Sequence, residues 1–315
     1  MNILVVGLGA LGTVFATALK ASGHNVYAMI KEKYLDKIKN CTVKISGLFG
    51  QKQAKLDGIF TDPKQIVSLN IDLIVVSVKS YDTETVVSKI KEIPSEALVL
   101  LTQNGYGNYE VATKILGKQR VILSRVIFGS KLIEPGFAEV TVFADDVVIG
   151  QPEEAVAEDK IKKIAAEFTK AGIPTRYSKD VYTILWDKIL YNSALNPLGA
   201  LLECNYGSLA QNEETKIIMN KIIEEIFTVA YAKGIKLNWS NPQDYINHFY
   251  EKLVPPTAKH FPSMYYDIRQ GKRTEIDALN GAIVKLAKEI GIQTPVNELI
   301  TNLIKAKEKL IYGNS

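Results

Sequence analysis

One stretch near the start of the chain constrains the fold more than any other. The apolar run Ile3-Leu4-Val5-Val6 passes directly into Gly7-Leu8-Gly9-Ala10-Leu11-Gly12, and Leu11–Ala21 then shows helical spacing. A GxGxxG between a buried strand and a helix is the turn of a βαβ unit. Its first glycine permits the tight turn and its second lets a phosphate approach the backbone. Its third lets the helix pack on the sheet. The helix N-terminus then turns free amides toward an anion. The expectation is a dinucleotide site built on Gly7, Leu8, Gly9, Ala10, Leu11 and Gly12. A glycine-rich turn without function is the alternative.

The residues that follow repeat the same alternation. Strands are expected at Val26–Ile30, Asp72–Val78, Ala97–Thr102 and Val121–Phe128, and helices at Thr83–Lys91 and Asn108–Leu116. Runs such as Leu73-Ile74-Val75-Val76 read as strands buried on both faces, which is the habit of parallel sheets. Val140–Phe143 and Val147–Gly150 read as later, antiparallel strands around the turn Ala144-Asp145-Asp146. A helix over Ala155–Ala171 and a strand over Pro174–Tyr177 close the series. After Ser178 the texture changes. Val181–Leu195, Glu213–Lys233, Asp244–Leu253, Glu275–Ile290 and Val296–Ile311 are helical in period, punctuated by prolines including Pro197. The expected architecture is α/β: a Rossmann-type, doubly wound domain over residues 1–178 and an all-helical domain over 179–315, with a cleft between them.

Composition narrows the chemistry. The net charge of +4 from 38 basic and 34 acidic side chains gives no basic arm for nucleic acid. Apolar runs fall far short of the ~20 residues of a membrane span. The start carries no basic region or cleavage site of a secretory signal. The 2 cysteines, Cys41 and Cys204, stand far apart, which points to a reducing compartment, and a cytoplasmic protein is expected. The 3 histidines stand singly, so no metal site is expected. Chemistry must then come from Lys, Asn, Glu, Ser or a bound cofactor.

Several polar residues stand where ligands bind in such a sheet, beyond the carboxyl ends of the strands. Lys31 follows the second strand, where a base accommodates a 2′-phosphate and an acid would accept a ribose hydroxyl. This favours NADP over NAD, with the adjacent Glu32 as the counter-indication. Lys79 ends the run Asp72–Val78, and Asn104 ends Ala97–Thr102 in the turn Gln103-Asn104-Gly105. In the helical half, Asn192 and Asn196 lie about 40° and about 80° round the helix from Lys188, on one face. Asn is a poor helix-interior residue, so this face reads as a polar wall or a solvated stripe. Thr274 with Asp277 reads as a helix cap that sets Glu275 in a first turn, where a carboxylate is favourable without any function.

Taken in order, these segments resemble the ketopantoate reductase (2-dehydropantoate 2-reductase) family. The markers are Gly7-x-Gly9-x-x-Gly12, Val78-Lys79, Gln103-Asn104-Gly105, Trp186-x-Lys188 with Asn192 and Asn196-Pro197, Ser263-Met264, and Thr274-Glu275-Ile276-Asp277 with Asn280-Gly281. The resemblance implies reduction of 2-dehydropantoate to (R)-pantoate by NADPH, in pantothenate and coenzyme A synthesis. It also implies a C-terminal domain like that of 6-phosphogluconate dehydrogenase. It makes Lys188 the general acid and Glu275 a second catalytic residue that also meets the cofactor. Asn104, Asn192, Asn196 and Ser263 would hold substrate, and Lys31, Lys79 and Asn104 would touch NADPH. Members often carry Arg where Lys31 stands, so the charge is kept and the bidentate geometry lost. The alternatives are a reductase of another 2-keto acid and, from a different class, a non-catalytic NADP-binding regulator. β-Hydroxyacid dehydrogenases also combine a dinucleotide fold, a helical domain and a Lys-x-x-x-Asn, but they place Gly where Leu185 stands and lack the Thr-Glu-Ile-Asp stretch. The partner is a small 2-keto acid; monomer and homodimer are both open.

Overall fold

A computed structural model describes residues 1–312. Strand β1 (Asn2–Val6) leads through α1 (Ala10–Ala21) into β2 (Asn25–Met29), and the two strands pair in parallel from Asn2↔Asn25 to Val6↔Met29. Then come β3 (Thr42–Gly47), β4 (Lys52–Lys55), β5 (Gly58–Phe60), β6 (Leu73–Val76), α2 (Thr83–Lys91), β7 (Leu98–Leu101), α3 (Asn108–Leu116) and β8 (Val121–Arg125). Next are β9 (Phe128–Glu134), β10 (Phe137–Phe143), β11 (Val147–Gly150), α4 (Glu158–Lys170) and β12 (Thr175–Tyr177). The larger sheet runs β12-β11-β8-β7-β6-β1-β2-β5, parallel except where β11 meets β8. The chain moves outward from β1 through β2 and then, after returning, through β6. The carboxyl ends of β1 and β6 therefore mark the switch point at which ligands bind in such sheets.

Two strand expectations are corrected. Val121–Phe128 is not one strand, because β8 stays in the larger sheet while β9 begins a second one. Val140–Phe143 and Val147–Gly150 do not pair with each other. Strand β10 joins a sheet ordered β4-β3-β10-β9, and β11 joins the larger sheet between β12 and β8. The second sheet explains why α1 is apolar nearly all round. Val14, Phe15, Ala16 and Leu19 are fully buried, since β3, β4 and β10 pack on the face that the larger sheet leaves uncovered.

The second half is helical: α5 (Val181–Leu202), α6 (Tyr206–Gln211), α7 (Glu213–Ala232), α8 (Pro242–His248), α9 (Ser263–Arg269), α10 (Asn280–Glu289) and α11 (Pro295–Tyr312). Pro197 does not end the first of these but lies inside it. Proline lacks the N–H that would bond the carbonyl one turn back, that of Ser193. Asn280 Nδ2 donates to that carbonyl instead, at 3.1 Å. Asn280 also donates to Asn297 Oδ1 at 3.0 Å, and Asn297 donates to Glu225 at 2.7 Å, deep among the helices.

A third correction concerns Glu275. The helix expected over Glu275–Ile290 begins only at Asn280, after a 3-10 turn over Ile276–Ala278 and a break at Leu279. Thr274 Oγ1 accepts from the Ile276 amide at 3.3 Å, so it braces this turn rather than capping a long helix. Glu275 therefore stands ahead of a short turn and not in a first helical turn.

By contacts the chain forms two compact units. One is Met1–Gln103 with Asn108–Tyr182; the other is Asn104–Gly107 with everything from Thr183 onward.

Candidate active site

In the first unit the glycine turn is built by backbone. Gly7 has φ +92°, which favours glycine, and its amide bonds the Met29 carbonyl at 2.9 Å. A Cβ on Gly12 would lie 1.8 Å from the Gly7 carbonyl oxygen, so helix α1 approaches the turn as closely as backbone allows. A Cβ on Gly9 would meet nothing within 4 Å, which leaves open space above the turn. No side chain caps α1 and no acid sits in its first turn. Its leading amides are therefore left for an anion.

The neighbouring strand ends are tied together by hydroxyls. Ser77 and Thr102 share a hydrogen bond of 2.9 Å, and Thr102 donates to the Val76 carbonyl. Lys79 precedes the 3-10 turn Ser80–Asp82 and is half-buried. Lys31 directly follows Ile30 at the end of β2, and its ammonium lies 2.8 Å from the Asp82 carboxylate. Nothing in the sequence pattern pointed to Asp82; only the sheet order brings it beside Lys31.

In the second unit three residues far apart in sequence form one hydrogen-bonded chain. Lys188 Nζ donates to Asn104 Oδ1 at 2.5 Å, and Asn104 Nδ2 donates to Glu275 Oε2 at 3.4 Å. An ammonium has no acceptor and a carboxylate has no donor, so the amide has one sensible orientation. Glu275 is 8% exposed, so its charge is sheltered from water. The Asn104 amide thus bonds the cation through its oxygen and the anion through its nitrogen.

The position of Asn104 has a backbone cause. Gly105 has φ +83°, and a Cβ there would lie 2.3 Å from the Ala278 carbonyl oxygen. The next amide, of Tyr106, donates to that same oxygen at 2.8 Å. The Asn-Gly pair thus lays its backbone on the turn that follows Glu275. The Tyr106 ring packs on the fully buried Trp186, with centroids 5.5 Å apart. Trp186 lies two residues before Lys188, so one short segment holds both ends of the chain.

The other expected residues divide. Asn192 lies one turn beyond Lys188, is 9% exposed, and has no hydrogen-bond partner among the described residues. Its amide is thus available to a ligand. Asn196 is deeper, and its carbonyl oxygen is taken by the Tyr206 hydroxyl at 2.7 Å. Burial pushes the Tyr206 phenol well above its ordinary value of 10, so it stays protonated and donates. The NH2 of Asn196 is left as a donor for a substrate. Ser263 is exposed at the start of α9, and no hydrogen bond joins it to the Lys188 chain among the described residues. The sequence reading missed Tyr206 and Tyr191, whose hydroxyl meets Thr257 at 2.5 Å and is pushed up to about 12 by burial. Aromatic residues in a helical half carry no signal that separates such anchors from ordinary core.

Comparison with known proteins agrees over nearly the whole length. A family model described as "Ketopantoate reductase PanE/ApbA" matches residues 3–154, and one described as "Ketopantoate reductase PanE/ApbA C terminal" matches residues 180–308. A 2-dehydropantoate 2-reductase of Aquifex aeolicus (strain VF5) is 48% identical over 309 residues, covering 98% of this chain and 97% of its own. One from Pyrococcus horikoshii is 31% identical over 314 residues, with both chains covered in full. Among solved structures, a D-mandelate dehydrogenase with NADH and anilino(oxo)acetate matches with a TM-score of 0.87 at 26% identity, covering 99% of each chain. A PanE/ApbA family ketopantoate reductase of Ralstonia eutropha JMP134 matches with a TM-score of 0.85 at 28% identity, again over 99% of each.

Proposed function

Because this chain belongs to the ketopantoate reductase family, we propose that it reduces 2-dehydropantoate to (R)-pantoate with NADPH, a step toward pantothenate and coenzyme A. The observation that carries this reading is the Lys188–Asn104–Glu275 chain, a proton donor held by a neutral amide and a sheltered carboxylate. The turn at Gly7–Gly12 fits a dinucleotide, since it has open space above Gly9 and uncapped amides at α1. Residues 1–178 are assigned to the cofactor and 179–315 to substrate and catalysis.

Bound NADPH supplies the hydride to C2 of the keto acid. The C2 oxygen then carries an alkoxide charge. A lysine ammonium is far more acidic than an alcohol, so Lys188 polarises the carbonyl beforehand and gives its proton to the oxygen afterwards. Asn104 aims the ammonium through its carbonyl oxygen. Glu275 holds the amide of Asn104 and, as a carboxylate, accepts from a substrate hydroxyl. Asn192 and the free NH2 of Asn196 supply directional hydrogen bonds without net charge. Ser263 is assigned a peripheral substrate contact. Lys31 and Lys79, with Gly7, Leu8, Gly9, Ala10, Leu11 and Gly12, are assigned to the cofactor.

Reduction of another 2-keto acid is the second reading, favoured by the resemblance to a D-mandelate dehydrogenase that holds anilino(oxo)acetate. A purely regulatory NADP-binding role would leave the Lys188 chain without purpose. We place the protein in the cytoplasm; no described helix is long and apolar enough to cross a membrane. The test is to follow NADPH and NADH oxidation with 2-dehydropantoate beside a panel of 2-keto acids. The kcat/KM for 2-dehydropantoate is expected to lead the panel by about tenfold or more, as a site that hydrogen-bonds a substrate hydroxyl allows. A higher value for another acid moves the substrate assignment to that acid. No oxidation with any acid ends the reductase reading.

A further inference from the structure

The Lys31–Asp82 ion pair has a place in the fold that an ordinary surface pair does not. Lys31 leaves the end of β2, and Asp82 closes the turn that leaves β6. Strand β1 lies between those two strands in the sheet. A bond of 2.8 Å from Lys31 Nζ to Asp82 Oδ2 therefore spans the carboxyl end of β1, where the glycine turn begins. Asp82 is the N-terminal boundary residue of α2, yet its side chain makes no capping bond there. Its carboxylate is directed to Lys31 rather than to its own helix. The Asp82 side chain is 27% exposed and that of Lys31 is 59% exposed, so the pair is reachable from solvent.

Two ligands would meet this pair differently. A 2′-phosphate brings a dianion to an ammonium already neutralised by a carboxylate, and it must displace that carboxylate or lie against it. A 2′-hydroxyl brings a donor that a carboxylate accepts. Lys31 offers a single point charge and cannot hold the phosphate and the carboxylate in separate, fixed directions as a guanidinium would.

We propose that Asp82 is a specificity residue for the dinucleotide: it competes with the 2′-phosphate for Lys31, accepts from the 2′-hydroxyl, and so narrows the preference for NADPH over NADH. This rests on the reductase reading only in taking the glycine turn as a dinucleotide site. The wild-type protein then uses both cofactors, and its discrimination is set by Asp82 as much as by Lys31. Because the pair is partly exposed and screened by salt, the effect is a matter of several-fold and not of decades.

Direct binding tests this without turnover. NADPH and NADH are each titrated by nucleotide fluorescence into wild type, Asp82→Asn, Lys31→Ala and the double variant. Asp82→Asn is expected to raise the ratio of NADPH to NADH affinity by about threefold to tenfold, mainly through tighter NADPH. In the Lys31→Ala background the same change is expected to move the ratio by less, because the competition for the ammonium is gone and only the contact to the 2′-hydroxyl is altered. High salt is expected to shrink the Asp82→Asn effect. An unchanged ratio in Asp82→Asn overturns the proposal, as does an equal shift with and without Lys31, or a failure of both nucleotides to bind. If the ratio shifts as expected while 2-dehydropantoate is not reduced, the substrate reading fails and the role of Asp82 stands. If 2-dehydropantoate is reduced and the ratio does not move, the reverse holds.

Discussion

The two candidate sites of this molecule are made of different material. The turn at Gly7–Gly12 is a backbone device: its function depends on where side chains are missing, with the Gly12 position closed by a carbonyl at 1.8 Å and the Gly9 position open. The Lys188 chain is a side-chain device, joined from Asn104, Lys188 and Glu275 by two hydrogen bonds. The first is contiguous in sequence, tolerates changes of side-chain chemistry, and fails when a methyl group is added. The second is scattered, and it fails when one terminal group is removed. A variant that separates cofactor binding from proton transfer should therefore be possible in each direction.

The largest separation is expected from Lys188→Ala. It removes the group we propose as proton donor and should lower kcat about 10²- to 10⁴-fold, the usual scale for a lost general acid. NADPH titration should give an affinity within about threefold of wild type, as the lost group acts on the substrate carbonyl rather than on the cofactor. Stopped-flow and equilibrium binding on the same sample decide this. Near-wild-type turnover would remove Lys188 from the proton path.

Gly105→Ala tests whether the side-chain device has a backbone foundation of its own. The residue sits at φ +83°, and the new Cβ would fall 2.3 Å from the Ala278 carbonyl oxygen. One of the two segments must move, and Asn104 moves with it. A misplacement of about 1 Å near the reacting groups can cost on the order of 10² in rate. The expected result is a fall in kcat of about tenfold to 10²-fold with a smaller change in NADPH affinity. A fall in NADPH affinity with kcat preserved would show instead that Asn104 serves the cofactor more than Lys188.

These cases show why one site was easier to read than the other. The glycine spacing directly after Ile3–Val6 carries its own context, so the doubly wound sheet and its switch point were legible. The second sheet was not. Strands β9 and β10 alternate only partly, and nothing local says that Phe128 leaves one sheet to start another. In the helical half, Lys188, Asn192 and Asn196 were legible as one face of a helix. Glu275 was assigned its role by resemblance, because Thr274 and Asp277 locally suggest a longer helix than the one that forms. Pro197 misled for a physical reason. Proline ends helices because it orphans a carbonyl, and here Asn280, far along the chain, bonds that carbonyl.

That rescue gives a prediction smaller than the first two and confined to the helical unit. Asn280→Leu removes the donor to the Ser193 carbonyl and leaves Asn297 Oδ1 without its 3.0 Å partner. Orphaning buried polar groups costs about 1–3 kcal/mol each. Denaturant unfolding should show a loss of about 2–4 kcal/mol in total. NADPH affinity should stay within about twofold, since the glycine turn lies in the other unit. An unchanged unfolding midpoint would mean that α5 carries Pro197 without help from Asn280.

The smallest expected effect compares the two units by their histidines. Burial is the main cause that holds His24 below its ordinary value of 6.5, aided by the Met1 ammonium and opposed by Glu167 at 3.3 Å. Burial alone lowers His260, which packs against Tyr206 at 5.4 Å between ring centroids. The sign follows from proton counting. Between the lowered folded value and 6.5 the unfolded chain binds a proton that the folded chain refuses, so stability rises with pH through that window. Each histidine thus leaves stability intact above about 6.5 and erodes it on acidification. His24→Gln and His260→Gln should each make the stability-versus-pH curve shallower below pH 6.5, by at most about 1.4 kcal/mol per pH unit. At His24 the Met1 ammonium outweighs the opposing Glu167 contact, so both variants are expected to flatten the curve. Equal slopes for both variants and wild type between pH 5 and 6.5 would show that acid lability in both units comes from their carboxylates. Asp57, Asp145 and Asp277 are all held low by basic neighbours against the opposing cost of burial, and they lose stability only at lower pH.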